Sequence, residues 1–410
     1  MIKRLSVVNL VLIILLSQQI DGTAAETLPP AKLDGTTISC LQKADWQCAI
    51  DILIPQYYEQ GTDSNLQYYI AYGFVGQARE ALLDKNYPLA AEYLEQALSY
   101  DDTNAVIHSE LGMVFYQLSR YDEAESSFYS AMELDQSNHH YPEMLGQISY
   151  LKGNLQDAAT YWQQALDIFP DNDQLRKKLS RIHEQTLTEQ QGTTELSHIF
   201  RITFDQGMKK EIYDDVWKIL ENSWYEIGLE LQLYPKRQIP VLLLTREKYQ
   251  AITNAPGWSG GVYEGQIKIP VANFTPELHK EVITHEYTHA LLYDSMANRC
   301  PWWLNEGLAQ YFSMDKNTQQ QSLQFARNYL RSNPNVDPDK LPGNIRATSD
   351  AKLAYALGLS ATDFLIDRFS IITTRNILAD MATGMNFAEG LENNTGYSYT
   401  QFVSMWSNSI

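Results

Sequence analysis

Apolar residues along this chain follow two regimes, and the change between them divides it. In the first half they recur every three or four positions, the spacing of one helical face. A longer period lies over the helical one. The segments AREALLDKNYPLAAEYLEQAL (Ala78 to Leu98), GMVFYQLSRYDEAESSFYSAM (Gly112 to Met132) and GQISYLKGNLQDAATYWQQAL (Gly146 to Leu166) carry the same kinds of residue every 34 positions. Ala90, Ala124 and Ala158 align, as do Leu94, Phe128 and Trp162, and then Ala97, Ala131 and Ala165. Leu111-Gly112 likewise matches Leu145-Gly146. The small residues fall where two helices must approach closely, and the large ones fill the space between. A single helix pair cannot bury its own apolar face, so neighbouring pairs must stack into a solenoid. Leu175 to Ile182 predicts a closing helix. Leu53 to Tyr72 predicts a further helical element at the front, with a poor match to the repeat, and residues 26 to about 50 are less regular.

This period and pattern resemble the tetratricopeptide repeat. The resemblance implies an all-α solenoid of about three repeats over residues 26–185, with no chemistry of its own. Its concave face either holds a peptide or partner protein, or the solenoid is a spacer packed on the second domain. The stretch TLTEQQGTT, Thr186 to Thr194, is polar and carries a glycine. It predicts a linker over 186–195.

From Leu196 the pattern changes. HIFRITF (198–204) alternates as a strand does, and QIPVLLLT (238–245) is a strongly apolar strand. Between them Lys209 to Leu229 is an amphipathic helix with Ile212, Val216, Ile219, Leu220 and Ile227 on or near one face. Arg246 to Ile252 predicts a short helix. Gly265 to Pro270 predicts a short strand that Pro270 ends, which is how edge strands behave. Thr275 then reads as an N-cap, with Pro276 at the first position of a helix that runs to about Met296.

That helix contains VITHEYTHA, Val282 to Ala290. His285 and His289 are four apart, so both rings leave one face, as two zinc ligands must. Glu286 points about a third of a turn away. It can stay off a metal and still reach a water there, the placement a general base needs. A catalytic zinc takes three protein ligands and leaves a fourth place open. Downstream, WWLNEGLAQYFS (Trp302 to Ser313) predicts a second helix with Glu306 near its start, 17 residues after His289. In these two motifs the chain resembles the glutamate-zincin (gluzincin) metallopeptidases. Over about 198 to 370 it is similar to the peptidase MA-like domains of bacteria, often found beside tetratricopeptide repeats. The resemblance implies His285, His289 and Glu306 as ligands of Zn2+ and Glu286 as the catalytic base. It also implies a later tyrosine as oxyanion donor. Tyr355, in KLAYALGLSATDFLIDRF and 66 residues past His289, is the candidate, with a core or rim role as its alternative. Aminopeptidases of the wider group carry an acidic motif at the edge strand. Here EGQIKIP offers Glu264 alone, which leans towards cleavage within peptides. Asp294, five residues past His289, shares its helical face poorly and reads as a surface residue.

Composition narrows the setting. With 44% hydrophobic and 20% charged residues the chain is of the folded class. A formal net charge of -19 argues against a nucleic-acid partner, which would need a basic surface. Lys3 and Arg4, the apolar run from Val7 to Leu16, and the stretch GTAAE read as a signal peptide over residues 1–25. The run is short for a membrane span, with an uncleaved membrane anchor as the rival reading; no later window approaches a span, and the mature chain is expected in a bacterial periplasm. In an oxidising compartment Cys40 and Cys48 could close a short loop, with Cys300 left as a buried small hydrophobe.

The expected architecture is therefore multidomain: an all-α tetratricopeptide solenoid followed by an α+β zincin-like metallopeptidase domain over 196–410. The expected function is zinc-dependent hydrolysis of peptide bonds within a peptide or protein substrate, with repeats that bind that substrate or a partner protein. The alternative is a tetratricopeptide scaffold or interaction protein whose peptidase-like domain is inactive or occluded.

Overall fold

The computed structural model describes residues 33–60, 63–84, 86–118, 120–204, 207–253, 255, 259–296, 299–333, 336–340 and 348–409. The expected signal peptide, residues 1–25, lies outside them. The chain divides into two compact units, Met1–Leu145 and Gly146–Ile410.

In the first unit the helices are α1 (Gly35–Gln42), α2 (Trp46–Gln60), α3 (Ser64–Leu83), α4 (Tyr87–Tyr100), α5 (Ala105–Gln117) and α6 (Tyr121–Leu134). Helix α7 (His140–Leu151) carries the chain into the second unit. The helices begin where the connections supply short polar side chains. Asp34 accepts from the backbone N–H groups of Thr36 and Thr37 at 2.8 Å. Asp63, Asn86 and Asn104 cap α3, α4 and α5 in the same way. A disulfide joins Cys40 of α1 to Cys48 of α2. The stretch 26–50, which lacks the repeat pattern, is thus helical over much of its described length. The element expected as one piece over Leu53–Tyr72 belongs to two helices, α2 and α3.

The aligned repeat positions are the ones that pack. Ala90, Leu94, Ala97, Ala124, Phe128 and Ala131 have no exposed surface. In the second unit Ala158 and Ala165 are equally buried, and Trp162 nearly so. They lie on α8 (Leu155–Ile168) and pack with Leu175 and Ile182 of α9 (Asp173–Gln191). Helix α9 is the expected closing helix, extended through residues assigned to a linker.

No linker runs over 186–195. Residues up to Gln191 are helical, and Thr193–Leu196 form strand β1. The polar composition misled because these polar side chains have partners. Gln185 and Thr188 are buried. Gln185 donates to Gln266 at 2.8 Å, and Thr188 donates to the Glu184 carbonyl. Strand β1 pairs antiparallel with β2 (Phe200–Phe204), from Thr193 opposite Phe204 to Leu196 opposite Arg201.

The remaining elements are α10 (Lys210–Leu231), β3 (Ile239–Leu244), α11 (Arg246–Ile252), β4 (Val262–Tyr263), β5 (Ile267–Pro270), α12 (Pro276–Met296), α13 (Trp302–Ser313), α14 (Lys316–Ser332), a 3-10 turn (Pro338–Lys340), α15 (Thr348–Phe369), α16 (Ile371–Ala382), α17 (Phe387–Thr395) and α18 (Tyr399–Asn408). The five strands form one mixed sheet in the order β1-β2-β3-β5-β4. Strands β2, β3 and β5 are parallel, while β1 and β4 run antiparallel on the two outsides. Ile202, Val241, Leu243, Ile267 and Ile269 face a core shared with α10 and α12. Leu242 and Leu244 point the other way, to Tyr249 and Ile252 of α11. The alternation of the strands thus buries both faces. The protein is a helical tetratricopeptide-like solenoid followed by a mostly helical region with this small mixed sheet.

The edge-strand assignment changes. Strand β5 is internal, and the outer position belongs to β4, a two-residue strand. Gly265, at φ +73°, turns the chain between them. Pro270 does end its strand, and ladder pairing continues beside it through Val271 N–H to Leu244 C=O at 2.9 Å. Strand β4 leaves no pattern along the chain because two residues are too few to show alternation. No helix of the described residues is long and apolar enough to cross a membrane. Cys300 is buried and unpaired.

The repeat glycines test the packing. A Cβ on Gly146 would fall 2.3 Å from the Trp162 ring, whereas one on Gly112 would meet Phe128 at 3.0 Å. Gly146→Ala should cost about 1–3 kcal/mol by overpacking, and Gly112→Ala less. Thermal melting of the two variants checks the order, and equal midpoints would contradict it.

Candidate functional site

The site is built on α12, α13 and α15. Helix α12 starts as expected, with the Thr275 hydroxyl accepting from Leu278 N–H at 3.3 Å and Pro276 in the first position. Ile283, Tyr287, Ala290 and Leu291 turn into the core. Thr284 is bonded to Ser223 of α10 at 2.8 Å. With that face fixed, the helical period sends His285 and His289 towards α13.

The two rings lie edge to face with centroids 4.6 Å apart and their Nε2 atoms 3.1 Å apart. Glu306 Oε2 lies 3.5 Å from His285 Nε2 and 3.6 Å from His289 Nε2. That oxygen is buried and has no donor at hydrogen-bonding distance. Asn305 Oδ1 is 2.9 Å from His289 Nδ1. An amide oxygen only accepts, so Nδ1 carries the proton and the Nε2 lone pair is directed at the shared point. Among the described residues this is the group of three side chains whose donor atoms could hold a metal ion, all within 4.8 Å of one another. Burial raises the Glu306 pKa, but His289 and then His285 outweigh it and hold the carboxyl below its usual range.

Glu286 points elsewhere, under the β4 strand. It is 8% exposed, and burial pushes its carboxyl up to about 7. His289 opposes that rise, Glu306 adds to it, and the Tyr263 backbone N–H opposes it by donating a hydrogen bond. Gly261 makes the approach of this strand possible. A Cβ there would meet Val282 at 2.8 Å, Ile269 at 2.9 Å and the Glu286 Cγ at 3.1 Å.

Tyr355 lies on α15, its ring stacked on Trp302 at 5.7 Å. Burial, then the Glu306 and Glu286 carboxylates, push its hydroxyl up to about 12. It is therefore within electrostatic reach of both glutamates. Helix α15 comes this close through glycines. A Cβ on Gly307 would fall 2.0 Å from Thr362 Oγ1 and 2.5 Å from the Gly358 carbonyl, and one on Gly358 would meet the Trp303 carbonyl at 2.9 Å.

All five site residues from the sequence reading thus come to one region. Asp294 does not behave as a surface residue. Its side chain is 6% exposed and accepts from Lys236 N–H at 2.6 Å and Arg237 Nε at 2.8 Å, fastening the turn after α10 to α12. His279 lies at the start of α12, with Nδ1 3.0 Å from the Thr275 carbonyl and its ring against Phe274. A cavity of about 350 Å³ opens beside this end of α12, lined by Arg246, Ser259, Asn273 and Val282 among others, and by none of the three donors. The sequence reading missed Asn305, Gly261 and the Tyr263 backbone. Asn305 stands beside Glu306 in the quoted motif, but its role needs the position of a ring from another helix.

Gly307→Ala should force α13 and α15 apart, lowering stability by about 1–3 kcal/mol or more. Gly390→Ala, whose new Cβ would have no neighbour nearer than 3.4 Å, serves as the control. Thermal melting of both variants separates the two cases.

A family model described as the Peptidase MA superfamily matches residues 236–410, and one described as tetratricopeptide repeat matches residues 75–140. Both resemblances drawn from the motifs are thereby found. The BBSome complex member BBS4 of Bos taurus is 27% identical over 135 residues, covering 33% of this chain and 25% of its own length. The small glutamine-rich tetratricopeptide repeat-containing protein 2 of Saccharomyces cerevisiae is 29% identical over 96 residues, covering 23% of this chain and 28% of its own. The chain therefore spans about a quarter of the length of each. Among solved structures, the first repeat domain of Spaghetti (RPAP3), bound to an HSP90 peptide, is 18% identical. It covers 28% of this chain and 93% of its own, with a TM-score of 0.28. MamA is 15% identical over 38% of this chain and 86% of its own, with a TM-score of 0.29.

Proposed function

We propose that this chain, which carries tetratricopeptide repeats and a Peptidase MA superfamily domain, is a zinc-dependent peptidase that cleaves within peptide chains. The observation that carries this reading is the convergence of His285 Nε2, His289 Nε2 and Glu306 Oε2, separated by 3.1, 3.5 and 3.6 Å. Ligands about 2.0–2.2 Å from a tetrahedral zinc stand about 3.3–3.6 Å from one another. The donor set fits zinc in type and spacing, and a cation would satisfy the stranded Glu306 oxygen. The mixed sheet with α12 packed on one face supports a zincin-like α+β fold for this region.

Zinc, when bound, supplies Lewis-acid polarisation of a scissile carbonyl and acidifies water in its open place. The protein's own groups do the rest. Glu286 takes the proton from the attacking water and delivers it to the leaving amine. Burial, which lifts the Glu286 carboxyl to about 7, suits it to do both. Tyr355 donates its hydroxyl proton in a hydrogen bond to the oxyanion as it forms. Asn305 holds the His289 ring in the tautomer that leaves Nε2 free to ligate. Strand β4, on the outside of the sheet, offers backbone groups to an extended peptide. Glu264, the one acidic residue of the hairpin, is bonded to Lys268 at 3.2 Å and to Tyr150 at 3.1 Å. Its engagement favours cleavage within chains over capture of a free amino end. The His285 side chain keeps 24% of its accessible surface, which supports an open site over an occluded scaffold.

The repeats, in this reading, hold the substrate or recruit a partner protein. The Cys40–Cys48 disulfide supports an oxidising compartment, in keeping with export to a bacterial periplasm.

The chain purified without chelator should hold about one zinc, and the His285→Ala variant clearly less, as read by elemental analysis. Glu286→Gln should keep its zinc and lose cleavage of a peptide library by about 10²–10⁴-fold. A chain that takes up no zinc when it is supplied would overturn the peptidase reading. Tyr355→Phe should lower kcat by about 10²–10³-fold with zinc content unchanged. An unchanged kcat would return Tyr355 to a packing role.

A further inference from the structure

Lys268, at the middle of β5, has no exposed surface. Its Nζ lies 3.2 Å from Glu264 Oε2 and 3.2 Å from the Tyr150 hydroxyl, and that hydroxyl donates to the same Glu264 oxygen at 3.1 Å. The three groups form a closed triangle. Lys268 and Glu264 belong to the β4–β5 hairpin, while Tyr150 is the penultimate residue of α7, in the third repeat. More contacts run the same way. Gln185 of α9 donates to Gln266 at 2.8 Å, the Tyr293 hydroxyl donates to the Leu151 carbonyl at 3.3 Å, and the Tyr293 ring lies against Tyr263. A Cβ on Gly265 would stand 3.3 Å from that Leu151 carbonyl. The end of α7, in the third repeat, therefore grips the hairpin at its turn and through Tyr293, and the closing helix α9 adds the Gln185 contact.

The other side of the hairpin is the roof over Glu286, through Gly261 and the Tyr263 N–H. Strand β4 pairs through two residues only, Val262 opposite Lys268 and Tyr263 opposite Ile267. So short a ladder cannot fix its own position. Burying a lysine there is costly unless its partners are held in good geometry. The buried charge ties the strand to the repeat.

We propose that Tyr150 is a positioning residue for the reaction, and that the third repeat is a fixed wall of the catalytic unit which holds the β4–β5 hairpin over Glu286 through the Tyr150–Glu264–Lys268 triangle. This rests on the peptidase reading above. Tyr150 touches neither substrate nor metal donors and acts through the hairpin alone.

The test uses the full mature chain with Tyr150→Phe, Lys268→Met, and Tyr129→Phe as an exposed control from the second repeat. Zinc content, kcat and KM on a cleaved peptide, and amide hydrogen exchange of residues 262–270 are measured. Tyr150→Phe should keep full zinc, lower kcat roughly tenfold with KM changed less than about twofold, and speed exchange in the hairpin. Lys268→Met should move in the same direction, and Tyr129→Phe should match the parent. If Tyr150→Phe lowers the melting temperature while kcat per zinc-loaded molecule stays at the parent value, the residue is merely structural and the proposal fails. Unchanged hairpin exchange in both variants also overturns it. A parent chain that binds zinc and cleaves nothing fails the peptidase reading instead, a result seen before any variant is made, and hydrogen exchange then decides the clamp alone.

Discussion

A carboxylate oxygen buried where no donor reaches it is costly in any protein interior. Glu306 Oε2 is held in that state, 3.5 and 3.6 Å from two imidazole nitrogens. Packed helices hold it there. Helix α12 is fixed by its apolar face, so the histidines have one direction left. Helix α13 enters beside it and brings Glu306 together with Asn305, which sets the tautomer of His289. None of these groups could be placed so closely by a flexible loop, because each position is decided by a whole helix packed on its neighbours.

Close approach is achieved by the same means in both halves of the chain. In the repeats, Gly112 lies against Phe128 and Gly146 against Trp162. In the site, Gly307 and Gly358 let α13 and α15 touch, and Gly261 lets the β4 strand descend on Glu286. Where the backbone comes so near, a single methyl group is an obstruction, and the interior has no slack to absorb it. The solenoid uses these contacts to stack. The site uses them to bring Tyr355 and the Tyr263 N–H to the two glutamates.

The buried polar groups divide along similar lines. Asp294 fastens the turn after α10, Gln185 reaches Gln266, and Lys268 is closed in by Glu264 and Tyr150. Each has its partner on a segment distant in the chain or on the far side of a turn. The -19 charge of the chain describes its surface and its choice of partners. It carries no information about which few charges are taken inside.

Much of the protein was legible in its letters. Repeats show themselves by period, since each unit solves the same packing problem with the same residues, and Ala90, Phe128 and Trp162 were read correctly as core. The histidine pair was legible because spacing along a helix is also direction in space, and Glu306 because the resemblance supplied the distant partner. What the sequence could not decide was everything set by contacts between distant segments. Residues 186–195 looked like a linker because side-chain polarity does not reveal that Thr188 is buried, nor that Gln185, just before them, has a partner 81 residues away. Strand β5 looked like an edge because β4 is too short to leave a pattern. Asp294 looked exposed because its partners come from another element. Local periodicity follows from the geometry of one helix or strand and can be read along the chain. The partners of a buried polar group, and the order of strands in a sheet, are fixed only when the folded chain brings remote residues together.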